Sequence, residues 1–256
     1  MFQRIVLAVL LCLFLVGPAS AADQWEVCAE YAEYGLPSTD GTLLCRMGYL
    51  LAHDDYFFTP IWVAERLTKE RALAKSARKG TFRPDPDLLV GRRAELDDYK
   101  GSGYDRGHMA PSADFGWSSK AMGESYLLSN MIPQNGLNNQ QIWANLEAHV
   151  RDWAILRGEI FIYTGPVYTD DKAEKTIGAN KIGVPDRLYK IVYDPHRKEA
   201  IAFLMPNAPL NTKDLPKYIV SVREIECLTG LNFLSTLPRK EQNQIEKAKA
   251  EMWARK

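Results

Sequence analysis

The sequence predicts an α+β fold, with a mixed or antiparallel sheet core and flanking helices. Three observations predict it. Segments alternating apolar and polar residues recur along the chain, and a long helical spacing of apolar residues follows Asn139. Strands and helices also succeed one another without a regular βαβ rhythm. The chain is 256 residues long, enough for one large domain with a substantial core.

The elements follow in order. Leu43 to Ala52 and Ile61 to Leu67 read as two strands at a hairpin, with Asp54-Asp55 and Thr59-Pro60 in the turn. Lys69 to Lys79 is charge-rich, Gly80 to Pro86 is turn-like, and Arg78, Lys79 and Arg83 make this stretch locally basic, by default a solvated face. Arg93 to Gly103 is a glycine-punctuated loop leading into Tyr104 to Ala110. Ser118 to Glu124 has one or two helical turns behind a Ser118 or Ser119 N-cap. Tyr126 to Ser129 is short and extended, and Pro133 to Asn138 is a loop. From Asn139 the apolar positions Ile142, Trp143, Leu146, Val150 and Trp153 mark an amphipathic helix ending near Gly158. Ile160 to Val167, Arg187 to Tyr193 and Ala200 to Met205 alternate like strands, and Lys213 to Thr229 contains a further helix. The charged tail from Arg239 to Lys256 reads as a surface helix.

The N-terminus has the layout of a secretory signal peptide: Arg4, the apolar run Ile5 to Val16, a Gly17-Pro18 break and the small residues Ala19-Ser20-Ala21. The run is shorter than the ~20 residues of a membrane span. The expected organisation is a signal peptide over residues 1–21 and a single domain over 22–256. The mature protein is then periplasmic or secreted and free of the membrane. The whole chain balances 32 basic against 32 acidic residues. That neutrality excludes a protein that coats nucleic acid through bulk charge, though not an enzyme that grips a few phosphates. Cysteines of an exported protein are expected to pair. Cys28 with Cys45 is the preferred bridge, worth roughly 3 kcal/mol on a chain-entropy account. Cys227 is then the odd thiol, read as buried and free, although its pairing with either of the others stays open.

Between Tyr104 and Glu147 the chain carries a dense polar run. It comprises Asp105-Arg106-Gly107-His108-Met109-Ala110-Pro111, then Ser129-Asn130-Met131-Ile132-Pro133-Gln134, then Asn139, Trp143 and Glu147. Arg106 and His108 share a face if their segment is a strand. An imidazole titrating near pH 6.5 can take a proton from water. Asn139, Trp143 and Glu147 at i, i+4 and i+8 share a helix face, with Trp143 packing inward. Asn139 alone reads first as an N-cap and second as an amide ligand of Mg²⁺, which needs few protein ligands. His53, His149 and His196 lack such company and are assigned ordinary structural places. The base, the cationic clamp and the hard oxygen donors together suit metal-assisted attack by water on a phosphate ester. No G-x-S-x-G elbow and no H-E-x-x-H pair occurs, which removes the commonest serine and zinc hydrolases.

The order Asp-Arg-Gly-His-Met-Ala-Pro, Ser-Asn-Met-x-Pro-Gln, Asn-x-x-x-Trp-x-x-x-Glu resembles the DNA/RNA non-specific endonuclease family. These are the ββα-metal (His-Me finger) nucleases that include endonuclease G. Weaker likenesses lie at Leu44-Cys45-Arg46, Trp62-Val63-Ala64-Glu65, Tyr163-Thr164-Gly165-Pro166-Val167-Tyr168 and Phe203-Leu204-x-Pro-Asn207. The resemblance implies a ββα-metal finger with His108 as general base and Asn139 as direct ligand of Mg²⁺, with Mn²⁺ or another divalent cation as alternatives. It implies that Glu147 holds metal-bound water or orients the cluster, and that Arg106 and Asn130 position phosphate and the catalytic groups. Asp105 is expected either to bear on the metal's water shell or to brace the finger, the second being preferred. Arg78 is the upstream phosphate-contacting arginine, with Arg83 as its rival. The implied substrates are DNA and RNA, cut with little sequence preference to give 5′-phosphates. Oligomeric state is left open, a homodimer among the options.

Overall fold

The computed structural model describes residues 26–76, 80–169 and 172–254. The leader at 1–21 and Arg78 both lie outside these residues. The centre of the molecule is a seven-stranded antiparallel sheet in the order β1-β2-β3-β6-β9-β10-β11. These strands are Thr42–Cys45 (β1), Tyr49–His53 (β2), Pro60–Thr68 (β3), Glu159–Val167 (β6), Arg187–Asp194 (β9), Glu199–Pro206 (β10) and Ile219–Val220 (β11). Two ribbons stand apart from it. One pairs Asp105–His108 (β4) with Met131–Gln134 (β5), the other Lys175–Ile177 (β7) with Ile182–Val184 (β8). The fold is α+β.

The period-two alternation sends successive side chains into two different cores. Along β3, Val63 and Leu67 enter one core while Trp62 and Ala64 enter the other. Ile160 and Ile162 oppose Phe161 and Tyr163 on β6, and Leu188 and Val192 oppose Tyr189 and Ile191 on β9. Helix Ala144–Arg157 (α4) covers the first face through Leu146, Val150 and Trp153. Helices Val222–Thr229 (α5) and Arg239–Lys247 (α6) cover the second through Val222, Ile225 and Ile245. Three shorter helices, Lys69–Leu73 (α1), Leu96–Tyr99 (α2) and Ser119–Ser125 (α3), connect the rest. Ser118 caps α3 by accepting from the Ala121 N–H.

Several expectations are corrected. Leu43 to Ala52 is a tight antiparallel pair rather than one strand, because the chain reverses at Arg46-Met47-Gly48. Gly48 is needed there: a Cβ would lie 2.4 Å from the Phe115 ring. Tyr126 to Ser129 runs into a 3₁₀ turn, and Met131–Gln134 forms the strand, where Pro133 is tolerated in a two-stranded ribbon. The tail is helical only over Arg239–Lys247. Beyond it Trp253 leaves the surface to meet Trp153 at 5.3 Å, with the Arg157 guanidinium 3.5 Å from the Trp253 ring centre. Cys28 and Cys45 are joined, their Cα atoms 5.8 Å apart. Cys227 is free but exposed rather than buried, because α5 points Val222 and Ile225 inward and turns Cys227 out.

Between α5 and α6, Arg223 is forked across two buried carboxylates, Glu226 and Glu246. Burial, and then the charge of Glu226, pushes Glu246 up to about 7. The native state therefore holds a proton that the unfolded chain, near 4.5, has already released. This contribution to stability is complete below pH 4.5 and is lost as pH rises through 7. Glu246→Gln is expected to flatten that slope, so melting temperatures from pH 5 to 8 should fall less in the variant than in the wild type. Parallel profiles would remove Glu246 as the cause.

Candidate active site

The β4–β5 ribbon carries the candidate base. Its register pairs Arg106 with Pro133, Gly107 with Ile132 and His108 with Met131. Gly107 has no side chain because Gln134 lies across it: a Cβ would sit 2.0 Å from Gln134 Oε1. His108 is 9% exposed and wedged between two rings, Phe82 at 5.5 Å and Tyr126 at 5.2 Å. Phe82 also carries the Arg106 guanidinium, 4.5 Å from its ring centre. One aromatic ring thus orients both the candidate base and the candidate clamp.

Of the two tasks expected of Asn130, positioning phosphate and positioning the catalytic groups, its contacts bear on the second. It is fully buried, and its Nδ2 donates to the carbonyls of Ala110 and Ser125, both at 2.9 Å. Its Oδ1 accepts from the Ala110 N–H at 3.0 Å, and its own carbonyl accepts from Met109 at 3.0 Å. All these bonds go to backbone, those to Met109 and Ala110 directly after His108, so Asn130 holds the turn after the candidate base and has no surface to offer a phosphate. Ser129 likewise turns inward, donating to Asp85. Asp85 is buried in a pair with Arg46 at 2.6 Å, which ties the loop behind Phe82 to the β1–β2 turn.

The helix that bears Asn139 begins with a π turn, Asn138–Trp143, before α4. Asn139 is not its N-cap. Asn135 takes that role, its Oδ1 accepting from the N–H groups of Leu137 and Asn138. Asn138 bolts the turn to the end of β10 by donating to the carbonyls of Pro206 and Ala208. Asn207 donates to Pro133 and Pro185 and accepts from the Asn135 N–H, which accounts for the Pro-Asn likeness. Asn139 is left to face Asp105, donating from Nδ2 to Oδ2 at 2.9 Å. A carboxylate only accepts, so this bond decides which way the amide points and leaves Oδ1 for another partner. Asp105 is therefore the brace, and it also receives Gln140 Nε2 at 2.8 Å.

Arg106, His108, Asn139 and Glu147 line one cavity of 360 Å³, together with Phe82, Gln140 and Arg151. It shares Phe82, Arg106, Asn139 and Gln140 with a neighbouring groove of 680 Å³ walled by Tyr99, Lys100 and Tyr104. Arg151 is held by the buried carboxylate of Asp114 at 2.9 Å. Among the described residues no three His, Cys, Asp or Glu side chains converge as a metal cage. The donors that do face the cavity, an oriented amide oxygen and the Glu147 carboxylate, are hard oxygens. They fit Mg²⁺, which keeps most of its waters, and do not fit a thiophilic metal. Of the two candidates for the upstream contact, Arg78 lies outside the described residues and Arg83 is exposed. Its guanidinium donates to the Gly123 carbonyl at 2.8 Å and it does not line the cavity.

Sequence reasoning missed Tyr126, Gln140 and Arg151 in the site. Arg151 is four residues beyond Glu147 and was legible as the next place on the same helix face. The other histidines stay away from the cavity: His53 is buried near Asp55, His149 lies against Trp153 and His196 is near Glu159. Asp105→Ala is expected to raise the Mg²⁺ concentration for half-maximal nuclease rate by about 10- to 100-fold, the usual cost of losing an outer-shell partner. A metal titration of the rate measures it, and an unchanged midpoint would strip Asp105 of the role.

The description "DNA/RNA non-specific endonuclease" belongs to the family whose pattern matches residues 29–240. The mitochondrial nuclease EXOG of Xenopus laevis is 36% identical over 222 residues, covering 81% of this chain and 62% of that protein. The chain thus spans under two thirds of that relative's length. Human mitochondrial endonuclease G is 34% identical over 221 residues, 81% of this chain and 74% of that protein. A solved endonuclease G, crystallised in a complex with EndoGI, superimposes with a TM-score of 0.77 at 31% identity, over 83% of this chain and 93% of that one. These relatives correct the expectation of a periplasmic or secreted protein, since the animal nucleases named here are mitochondrial. A basic and apolar leader is common to several kinds of targeting segment, so its composition did not identify the compartment. The matched length, the identities and the shared fold agree with the geometry of the site: this chain belongs to the DNA/RNA non-specific endonuclease family.

Proposed function

We propose that the protein is a metal-dependent endonuclease that hydrolyses phosphodiester bonds of DNA and RNA, with one Mg²⁺ at Asn139, leaving 5′-phosphates. The observation that carries this reading is the meeting of His108 and Arg106 from a strand with Asn139 and Glu147 from a helix in one cavity. In this mechanism neutral His108 accepts a proton from water, which attacks phosphorus in line with the departing 3′ oxygen. Arg106, fixed on Phe82, balances the charge that builds on the phosphoryl oxygens, and Arg78 is its proposed upstream companion. Asn139, aimed by Asp105, and Glu147 are the residues that would hold Mg²⁺. When bound, the ion supplies Lewis-acid stabilisation of phosphoryl and leaving-oxygen charge. Asn130 keeps the Met109–Ala110 backbone in place behind the base. The cavity walls present groups suited to phosphate, so the enzyme reads backbone and not base edges.

The test is digestion of plasmid DNA and of a structured RNA with Mg²⁺ and with EDTA, followed by end-group analysis. Cleavage of both polymers that stops in EDTA and leaves 5′-phosphates is expected. Inertness across several divalent cations would overturn the enzyme reading, and 3′-phosphate ends would overturn the assigned direction of attack.

A further inference from the structure

On the sheet face beneath α4, Glu65, Thr164 and Lys190 interrupt the apolar core, each at most 2% exposed. They lie on adjacent strands β3, β6 and β9, with Thr164 and Lys190 directly opposite in register. Lys190 Nζ donates to Thr164 Oγ1 at 2.6 Å and to the Met109 carbonyl at 3.4 Å, and stands 5.2 Å from the centre of the Trp143 ring. Both carboxylate oxygens of Glu65 are buried without a hydrogen-bond partner among the described residues. The Trp143 indole N–H is in the same condition. Burial pushes Glu65 well above the usual carboxylate range and pulls Lys190 down, while the attraction between the two opposes both shifts.

Such a group is a poor way to gain stability. Well-packed hydrophobic residues of similar volume often serve as well as a buried pair, or better. What the placement does provide is a junction. Met109 directly follows the base His108, and Trp143 is four residues from both Asn139 and Glu147 on the helix that carries them. The ammonium of Lys190 is thus a point at which the sheet touches both halves of the site. We infer that Lys190, fixed by Thr164 and backed by Glu65, is a positioning residue that sets the base-bearing turn and the metal-bearing helix at their working separation. Its effect falls on the rate of the chemical step, where a displacement of about 1 Å can cost on the order of 100-fold.

This inference rests on the proposed nuclease function for its kinetic readout, and a second readout keeps the two separable. Lys190→Met is to be compared with wild type by thermal melting, DNA cleavage kinetics and NMR of the His108 ring. The expected result is a folded protein with a lowered melting temperature, because Glu65 stays buried without the opposing charge of Lys190, together with kcat lowered about 10-fold or more at unchanged KM and shifted His108 ring resonances. Thr164→Val, which keeps the volume and removes the acceptor, should give a smaller loss of the same kind. A folded Lys190→Met with wild-type kcat and unmoved His108 resonances overturns the inference. So does a Lys190→Met that fails to fold beside a Thr164→Val with full kcat, since the lysine is then structural only. If wild type itself cleaves nothing in Mg²⁺, the nuclease reading fails, and the His108 resonances alone decide whether Lys190 sets that turn.

Discussion

Replacing His108 with alanine is expected to lower the rate of DNA cleavage in Mg²⁺ by about 10³-fold, within the range for losing a general base. Among the described residues no second histidine lines the cavity, and a guanidinium has no lone pair to offer as a base, so neither takes over the imidazole's role. The fold should survive, because β4 is held by its ladder to β5 and by the Asn130 bonds to Met109 and Ala110, none of which uses the imidazole. Removing the ring leaves Phe82 and Tyr126 with their mutual contact at 5.1 Å. The melting temperature should therefore stay close to wild type, and the half-saturating Mg²⁺ concentration should not move. Residual cleavage above about a tenth of wild type would rule His108 out as the base.

Asn139→Ala should cost at least as much in kcat/KM as the loss of an outer-shell partner, about 100-fold, and saturation with Mg²⁺ should not restore it. No cluster of carboxylates or imidazoles among the described residues can take over as ligand. Asn139→Asp is the more instructive variant. A carboxylate is ordinarily the better Mg²⁺ ligand, yet here it would face Asp105 at the place where the amide now donates at 2.9 Å. Two like charges at that distance repel in the absence of metal. The aspartate variant should thus be impaired at low Mg²⁺ and recover at high Mg²⁺, whereas the alanine variant should not recover. Metal titrations of both rates test this, and equal behaviour of the two would detach Asn139 from the ion.

Much of the site was legible because its residues are close in sequence and their spacing follows the periods of strand and helix. Arg106 and His108 are two apart on β4, and Trp143 packs inward as its spacing required. The misreadings share one physical origin. Asn130 was expected to help position phosphate, but it is buried against the backbone of Ala110, 20 residues away, which local pattern does not show. The buried Lys190 reads in one dimension as an ordinary polar interruption of an alternating strand. Only the registers of β3 with β6 and of β6 with β9 place it beside Thr164 and on the same face as Glu65. The reversal at Arg46–Gly48 was hidden for the same reason, since Gly48 answers to the distant ring of Phe115.

The π turn at the head of the α4 helix has a consequence for angular phase. A regular α-helix advances roughly 100° per residue, so residues eight apart end about 80° out of line. On such a helix Asn139 would look away from Glu147. The wider turn over Asn138–Trp143 takes up one residue of that advance and returns the two side chains to nearly one azimuth. The relative placing of Asn139 and Glu147 is thus encoded partly in a backbone irregularity, and side-chain identity alone does not reproduce it. Tightening the turn into regular helix at constant length would swing Asn139 out of the cavity, whereas tightening it while deleting one residue would keep the phase.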